Sequence, residues 1–378
     1  MHANSRTIVL SANSEWNIAN FRPGLIRALQ NSGYVPLVIA PPHAAVEERM
    51  RELAIERIGI KIDRSGLNPW ADLQLMWCYR HLLKRIRPAA YISFTIKPNI
   101  YGSIAAASLG VPAIPNVSGL GTVFIRPGLL QHIVTHLYRF GFRRAPIVFF
   151  QNAEDCQLFI DREIVKPEQA RVLPGSGVDL ERFRASALPH GPPVFLFIGR
   201  LLRDKGVIEF VEAARHLRAS HSKLRFQLLG PIDEENRTSI RKSELSQWEK
   251  EGIIEYLGAS DDVRPFIAAA SAVVLPSYRE GLPRSLLEAA AMARPLIATD
   301  VPGCREVVDD GLNGYLCNVR DSHSLAAAME RLAALPREQR LRMGEAARRK
   351  VHDRFSEEYV IRAYLDVLAE LNSAKRSE

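Results

Sequence analysis

The sequence predicts an α/β chain of two successive Rossmann-like units, each a parallel sheet with helices on both faces. Short apolar runs alternate with helix-spaced patterns through both halves, which is the rhythm of β-α-β construction. A stretch rich in proline, from Ala185 to Pro193, separates the halves and reads as a linker. The length of 378 residues suits two domains of ordinary size.

In the first half the strand-like runs are Ile8-Val9-Leu10, Leu37-Val38-Ile39, Tyr91-Ile92-Ser93-Phe94 and Ile147-Val148-Phe149-Phe150. Between the first two, Pro23, Leu25, Ile26 and Leu29 follow helical spacing, and Gly33 closes the pattern. In the second half the runs are Val194 to Ile198, Phe226 to Leu229, Ile253 to Leu257, Ala272 to Leu275 and Leu296 to Ala298. Near the end, Ser356 suits an N-cap, and Tyr359, Ile361, Tyr364, Leu365 and Leu368 supply one apolar stripe. The expected division is residues 1–185, 186–354 and a terminal helix with tail at 355–378.

The chemistry concentrates after two strands of the second half. The run ending at Leu275 and Pro276 leads into Ser277-Tyr278-Arg279-Glu280-Gly281-Leu282-Pro283-Arg284-Ser285-Leu286-Leu287-Glu288. Pro283 fits the first position of a helix, where a missing N–H costs nothing. Glu280 therefore belongs to a loop at a strand's carboxyl end and Glu288 to the helix behind it. A helix N-terminus lies between them, with N–H groups and partial positive charge that attract phosphate. Two carboxylates for sugar hydroxyls beside an anion site suit a nucleotide sugar. The run Val194 to Ile198 ends at Gly199, and Arg200 and Lys205 follow in the turn before the next helical pattern. That puts both cations where open α/β sheets bind ligands.

Glu280, seven residues and Glu288, with the preceding strand and the following run from Arg294 to Gly303, resemble the donor motif of retaining GT-B glycosyltransferases of family 4. The resemblance implies the GT-B fold: two facing Rossmann-like domains and a C-terminal helix crossing back to the first. It implies that Arg200 and Lys205 grip the donor diphosphate, that Glu288 holds the ribose and that Glu280 positions the transferred sugar. Gly199, Gly281, Leu282 and Ser285 complete the donor side. Transfer then proceeds with retention of configuration, and Glu280 orients the sugar without forming a covalent bond to it.

The first half resembles the branch that extends undecaprenyl-diphosphate-linked oligosaccharides for surface glycans. The acceptor candidates are Trp16, Asn17 and Arg22 in the first loop, Lys97 and Asn99 after Phe94, and Asn116, Ser118 and Gly119 further on. Many family members carry a histidine in the middle of this domain, but none lies here between His81 and His132. UDP is the expected carrier, with GDP open, and the sugar is a hexose, an N-acetylhexosamine or a uronic acid. A soluble small-molecule acceptor and a GT-B epimerase are the competing readings. A GxGxxG dehydrogenase fingerprint is missing from both halves.

No cofactor and no metal are expected, since Asp261-Asp262 and Asp309-Asp310 sit in turn contexts and the four cysteines are scattered. The sequence has no apolar run near the roughly 20 residues of a membrane span, and the opening run Thr7 to Leu10 is too short for a signal-peptide core. A cytoplasmic protein is expected, peripheral on the inner face of the plasma membrane. The formal net charge of +8 calls for an anionic partner, and no nucleic-acid motif is present. From Phe124 to Arg144, bulky apolar residues mix with Arg139, Arg143 and Arg144. That segment is either a surface for anionic lipid or a core helix with a basic side.

Overall fold

A computed structural model describes residues 6–63, 68–120, 128–233, 236 and 238–377. One compact unit runs to Ser176 and takes the chain up again from Glu358; the other is Gly177–Glu357.

The first unit holds a seven-stranded sheet: β1 Thr7–Ser11, β2 Val35–Ala40, β3 Glu56–Gly59, β4 Ala90–Phe94, β5 Ala113–Val117, β6 Val148–Phe150 and β7 Ala170–Val172. The second holds six strands: β8 Val194–Ile198, β9 Arg225–Leu229, β10 Glu255–Tyr256, β11 Ala272–Leu275, β12 Leu296–Thr299 and β13 Gly314–Cys317. Their orders are β3-β2-β1-β4-β5-β6-β7 and β10-β9-β8-β11-β12-β13, and every pairing is parallel. A parallel sheet must be covered on both faces. In β1, Ile8 and Leu10 accordingly join one apolar cluster while Val9 joins another.

The helix expected around Leu25 spans Pro23–Asn31, and Gly33 follows with φ of 78°. Ile253 to Leu257 shrinks to the two-residue strand β10. β3, β5, β7 and β13 are absent from the apolar runs read in the sequence; β3 and β7 are edge strands with charged residues and little burial, and β5 is broken in pattern by Pro115 and Asn116. The last helix is Glu357–Ser377. Its Val360, Tyr364, Val367 and Leu368 are buried in the first unit's core, and the Tyr364 hydroxyl accepts 2.8 Å from Asn116.

The proline-bearing stretch after residue 185 is part of the second unit rather than a free linker. The reason is Arg294, which is fully buried. Its guanidinium donates to Ser186 O at 2.9 Å, Ala187 O at 2.8 Å, Ile267 O at 2.9 Å and Ala268 O at 2.9 Å. Burial lowers the Arg294 pKa to about 10. Its planar fork ties three chain segments through their backbone carbonyls. Arg294→Met should cost about 3 kcal/mol by stranding them. The melting temperature should then fall by roughly 6–12 °C for a unit of this size; an unchanged melt would show the clamp to be dispensable.

Candidate active site

In the second sheet β8 and β11 are neighbours, but β8 connects onward to β9 on one side and β11 to β12 on the other. This is the topological switch point, where an open α/β sheet leaves a crevice at its carboxyl edge. Gly199, Arg200 and Lys205 follow β8, and Glu280 and Gly281 follow β11. The sequence-predicted donor residues are thus gathered at one edge of one sheet.

Glycines make the approach possible. A Cβ on Gly230 would stand 1.8 Å from Gly199 O, and one on Gly206 2.0 Å from Pro276 O. One on Gly303 would stand 2.3 Å from Gly281 O and 2.8 Å from Glu280 O. All three have positive φ, which favours glycine. The loops are then stitched together. Tyr278 N–H donates to Asp204 O at 2.9 Å, and the Ser277 hydroxyl donates to the same carbonyl at 3.2 Å. Thr299, at the end of β12, holds Ser277 O through its hydroxyl.

On this frame Lys205 Nζ meets Glu280 Oε1 at 2.5 Å, and both side chains are largely buried. Beside them the helix is Arg284–Ala291, with Pro283 as its N-cap rather than its first residue. Pro283 is extended at ψ of 111°, and its carbonyl accepts from Leu286 and Leu287. No side chain caps this helix start. Glu288 is paired with Arg284 at 2.7 Å, one turn before it; that Arg-x3-Glu spacing was readable in the sequence. Arg200 is about half exposed and meets Asp233 at 2.9 Å. Nothing in the sequence spacing announced Asp233. Burial and the nearby Glu280 carboxylate push the Cys304 thiol well above its ordinary pKa.

The acceptor candidates of the first unit divide. Asn99 and Asn116 are buried and serve the core: the Asn99 amide donates to Asn116 O at 2.8 Å and accepts from the Ser93 hydroxyl at 2.8 Å. Lys97 is held by Asp72 at 2.6 Å, and Tyr101 donates to the same carboxylate. Arg22 is buried with its guanidinium 4.0 Å from the Phe94 ring centroid, a cation–π contact. Trp16 is exposed, and Ser118 and the positive-φ Gly119 lie partly open beyond β5. Asn17 Oδ1 is buried with no hydrogen-bond partner among the described residues. Thr95, immediately after β4, has φ of 73° and accepts from Asn13 N–H at 3.1 Å. A β-branched residue in that conformation at a switch point marks stored strain, and pattern reading had no signal for it.

Two parallel Rossmann-type sheets, with a final helix returning to the first, define the GT-B fold, and the second unit's paired charges suit glycosyl transfer. Residues 179–350 match the glycosyl transferases group 1 family, and residues 18–175 match a glycosyl transferase 4-like domain. The alpha-D-kanosaminyltransferase of Streptomyces kanamyceticus is 32% identical, over 74% of this chain and 77% of that protein. The N,N'-diacetylbacillosaminyl-diphospho-undecaprenol alpha-1,3-N-acetylgalactosaminyltransferase of Campylobacter jejuni is 28% identical, over 87% of this chain and 89% of that protein. A crystal structure of Anabaena HepE with UDP and glucose shares the fold, with a TM-score of 0.78 and 18% identity, covering 97% of this chain and 100% of that one. The chain belongs to the glycosyl transferases group 1 family and is a glycosyltransferase.

Gly303→Ala should force a Cβ onto the Glu280 and Gly281 carbonyls and strain a positive φ. Steady-state transfer assays should show turnover down by about tenfold or more, as expected when a positioning group moves by a fraction of an ångström to an ångström. Wild-type turnover in a folded variant would show that Gly303 does not set the position of Glu280.

Proposed function

We propose that this glycosyltransferase moves a hexosyl or N-acetylhexosaminyl group from a UDP-sugar to a saccharide carried on undecaprenyl diphosphate, in the assembly of a surface glycan. The observation that carries the donor half is the Lys205–Glu280 pair beside an uncapped helix start at the switch point of the second sheet. The acceptor half is supported by the Campylobacter relative, whose name gives a diphospho-undecaprenol substrate and whose similarity spans most of both chains. UDP as carrier is supported by the fold neighbour that binds UDP.

In this reading the bond from the anomeric carbon to the diphosphate stretches first, and negative charge grows on the departing oxygens. Lys205, Arg200 and the backbone at Arg284 and Ser285 oppose that charge. A diphosphate so placed competes with Glu280 for Lys205 and releases the carboxylate to accept from a sugar hydroxyl. Glu288 holds the ribose, and Gly281 and Leu282 present backbone to the sugar. The acceptor hydroxyl attacks the same face, and its proton passes to the leaving phosphate oxygen, so configuration is retained. These fixed cations do the work without a metal ion. The lipid-linked acceptor calls for peripheral binding at the cytoplasmic membrane face; no described helix is long and apolar enough to cross a membrane.

Lys205→Ala should weaken UDP binding about tenfold to a hundredfold in calorimetric titration, the scale of one lost charge-assisted hydrogen bond. Glu280→Gln should leave UDP affinity at or above wild type, since it removes the diphosphate's competitor for Lys205, and cut turnover on the order of a hundredfold. Equal losses of affinity in both variants would assign Glu280 to the nucleotide instead. Transfer activity should survive EDTA; loss restored by Mg²⁺ or Mn²⁺ would mean that a metal neutralises the diphosphate.

A further inference from the structure

The helix Pro69–Ile86 of the first unit carries an outward stripe that neither the fold nor the donor chemistry uses. Trp70 is 75% exposed, Trp77 57% and Leu73 40%. These positions lie three and four residues apart, so they share one face. The opposite face buries Leu75, Tyr79, Leu82 and Leu83. The sequence places Arg80, Lys84 and Arg85 further along the helix, at spacings that continue the outer side. The Arg80 guanidinium stands 5.8 Å from the Trp77 ring centroid. The helix's one acid, Asp72, lies off the stripe, pairs with Lys97 and accepts from the Tyr101 hydroxyl.

The helix Leu129–Phe142 repeats the composition on a smaller scale. It exposes Ile133 and Phe140, and Arg143 stands 5.7 Å from the Phe140 ring. Its other face is core: Val134, Tyr138 and Phe142 are buried. Arg139 is committed to the carbonyls of Arg162 and Glu163 at 2.6 and 3.0 Å, so it is not a lipid-facing cation. Residues 124–127 of the basic segment singled out in the sequence lie outside the described residues.

We infer that the stripe Trp70-Leu73-Trp77, with Arg80, Lys84 and Arg85, is the surface by which this enzyme docks on an anionic lipid bilayer. Exposed tryptophan with cations beyond it matches an interface that is apolar at one depth and negatively charged at another. The chain's net charge of +8 acts in the same direction. The inference rests on the peripheral reading proposed above and moves the main contact from the segment around Arg139 to this helix.

The test is flotation with vesicles of phosphatidylglycerol and phosphatidylethanolamine, against vesicles of phosphatidylcholine alone. The wild type should float with the anionic vesicles at low salt and lose binding as salt rises. Trp70→Ser with Trp77→Ser, and separately Lys84→Ser with Arg85→Ser, should each lower that binding about tenfold or more. Arg143→Ser with Arg144→Ser should lower it less. Brominated lipid should quench the wild-type tryptophan emission and quench the Trp70→Ser, Trp77→Ser variant far less. Transfer to a short-chain, water-soluble acceptor analogue should stay at wild-type rate in both stripe variants. Wild-type flotation by the tryptophan variant would overturn the inference. So would a dimer in sedimentation velocity that this variant dissolves while the wild type ignores vesicles, since the stripe would then bind a second copy. Stripe-dependent flotation by an enzyme that uses only soluble acceptors would uphold the surface and reject the lipid-linked acceptor.

Discussion

Everything at the donor side depends on how closely two neighbouring parallel strands let their carboxyl-terminal loops approach. β8 and β11 supply the edge, but the loops meet only because Gly206 and Gly303 admit carbonyl oxygens where a Cβ would stand. Each glycine sets its neighbour's position: Gly206 packs on Pro276, and Gly303 packs under Glu280 and Gly281. Hydrogen bonds from Ser277 and Tyr278 to Asp204 then lock the two loops into one piece. A carboxylate placed in this way, as Glu280 is, is held in position before any ligand arrives.

The charges on that frame are arranged in pairs. Lys205 faces Glu280, Arg284 faces Glu288, and Arg200 faces Asp233. Cations are costly to leave unpaired in a partly buried setting, and carboxylates are equally so. Pairing them lowers that cost and fixes their rotamers.

The first unit uses polar residues differently. Asn99, Asn116 and Tyr364 form a buried relay that joins β5 to the last helix, with the Tyr364 ring packed edge-on against Phe94 and Phe149. Polar residues just after strands are therefore poor guides to a substrate surface here. In this unit the strained Thr95 and the partly open Ser118 and Gly119 lie at the sheet's carboxyl edge.

By itself the sequence determined the two-unit parallel α/β fold, the terminal helix and the strand-loop-helix settings of the candidate donor residues, because strand-Gly-turn and strand-loop-helix patterns are local. Arg200, Lys205, Glu280 and Glu288 were legible for that reason, and the comparisons established the family that their spacing implied. Only the tertiary structure decided what depends on distant partners. It showed that Asn99 and Asn116 face inward, and that Arg294 binds Ser186 and Ala187 into the second unit. It showed that Asp233 meets Arg200. It also separated the exposed Trp70 and Trp77 from the buried Tyr79 on one helix. Burial and long-range pairing are properties of the packed chain, and no spacing along the sequence encodes them.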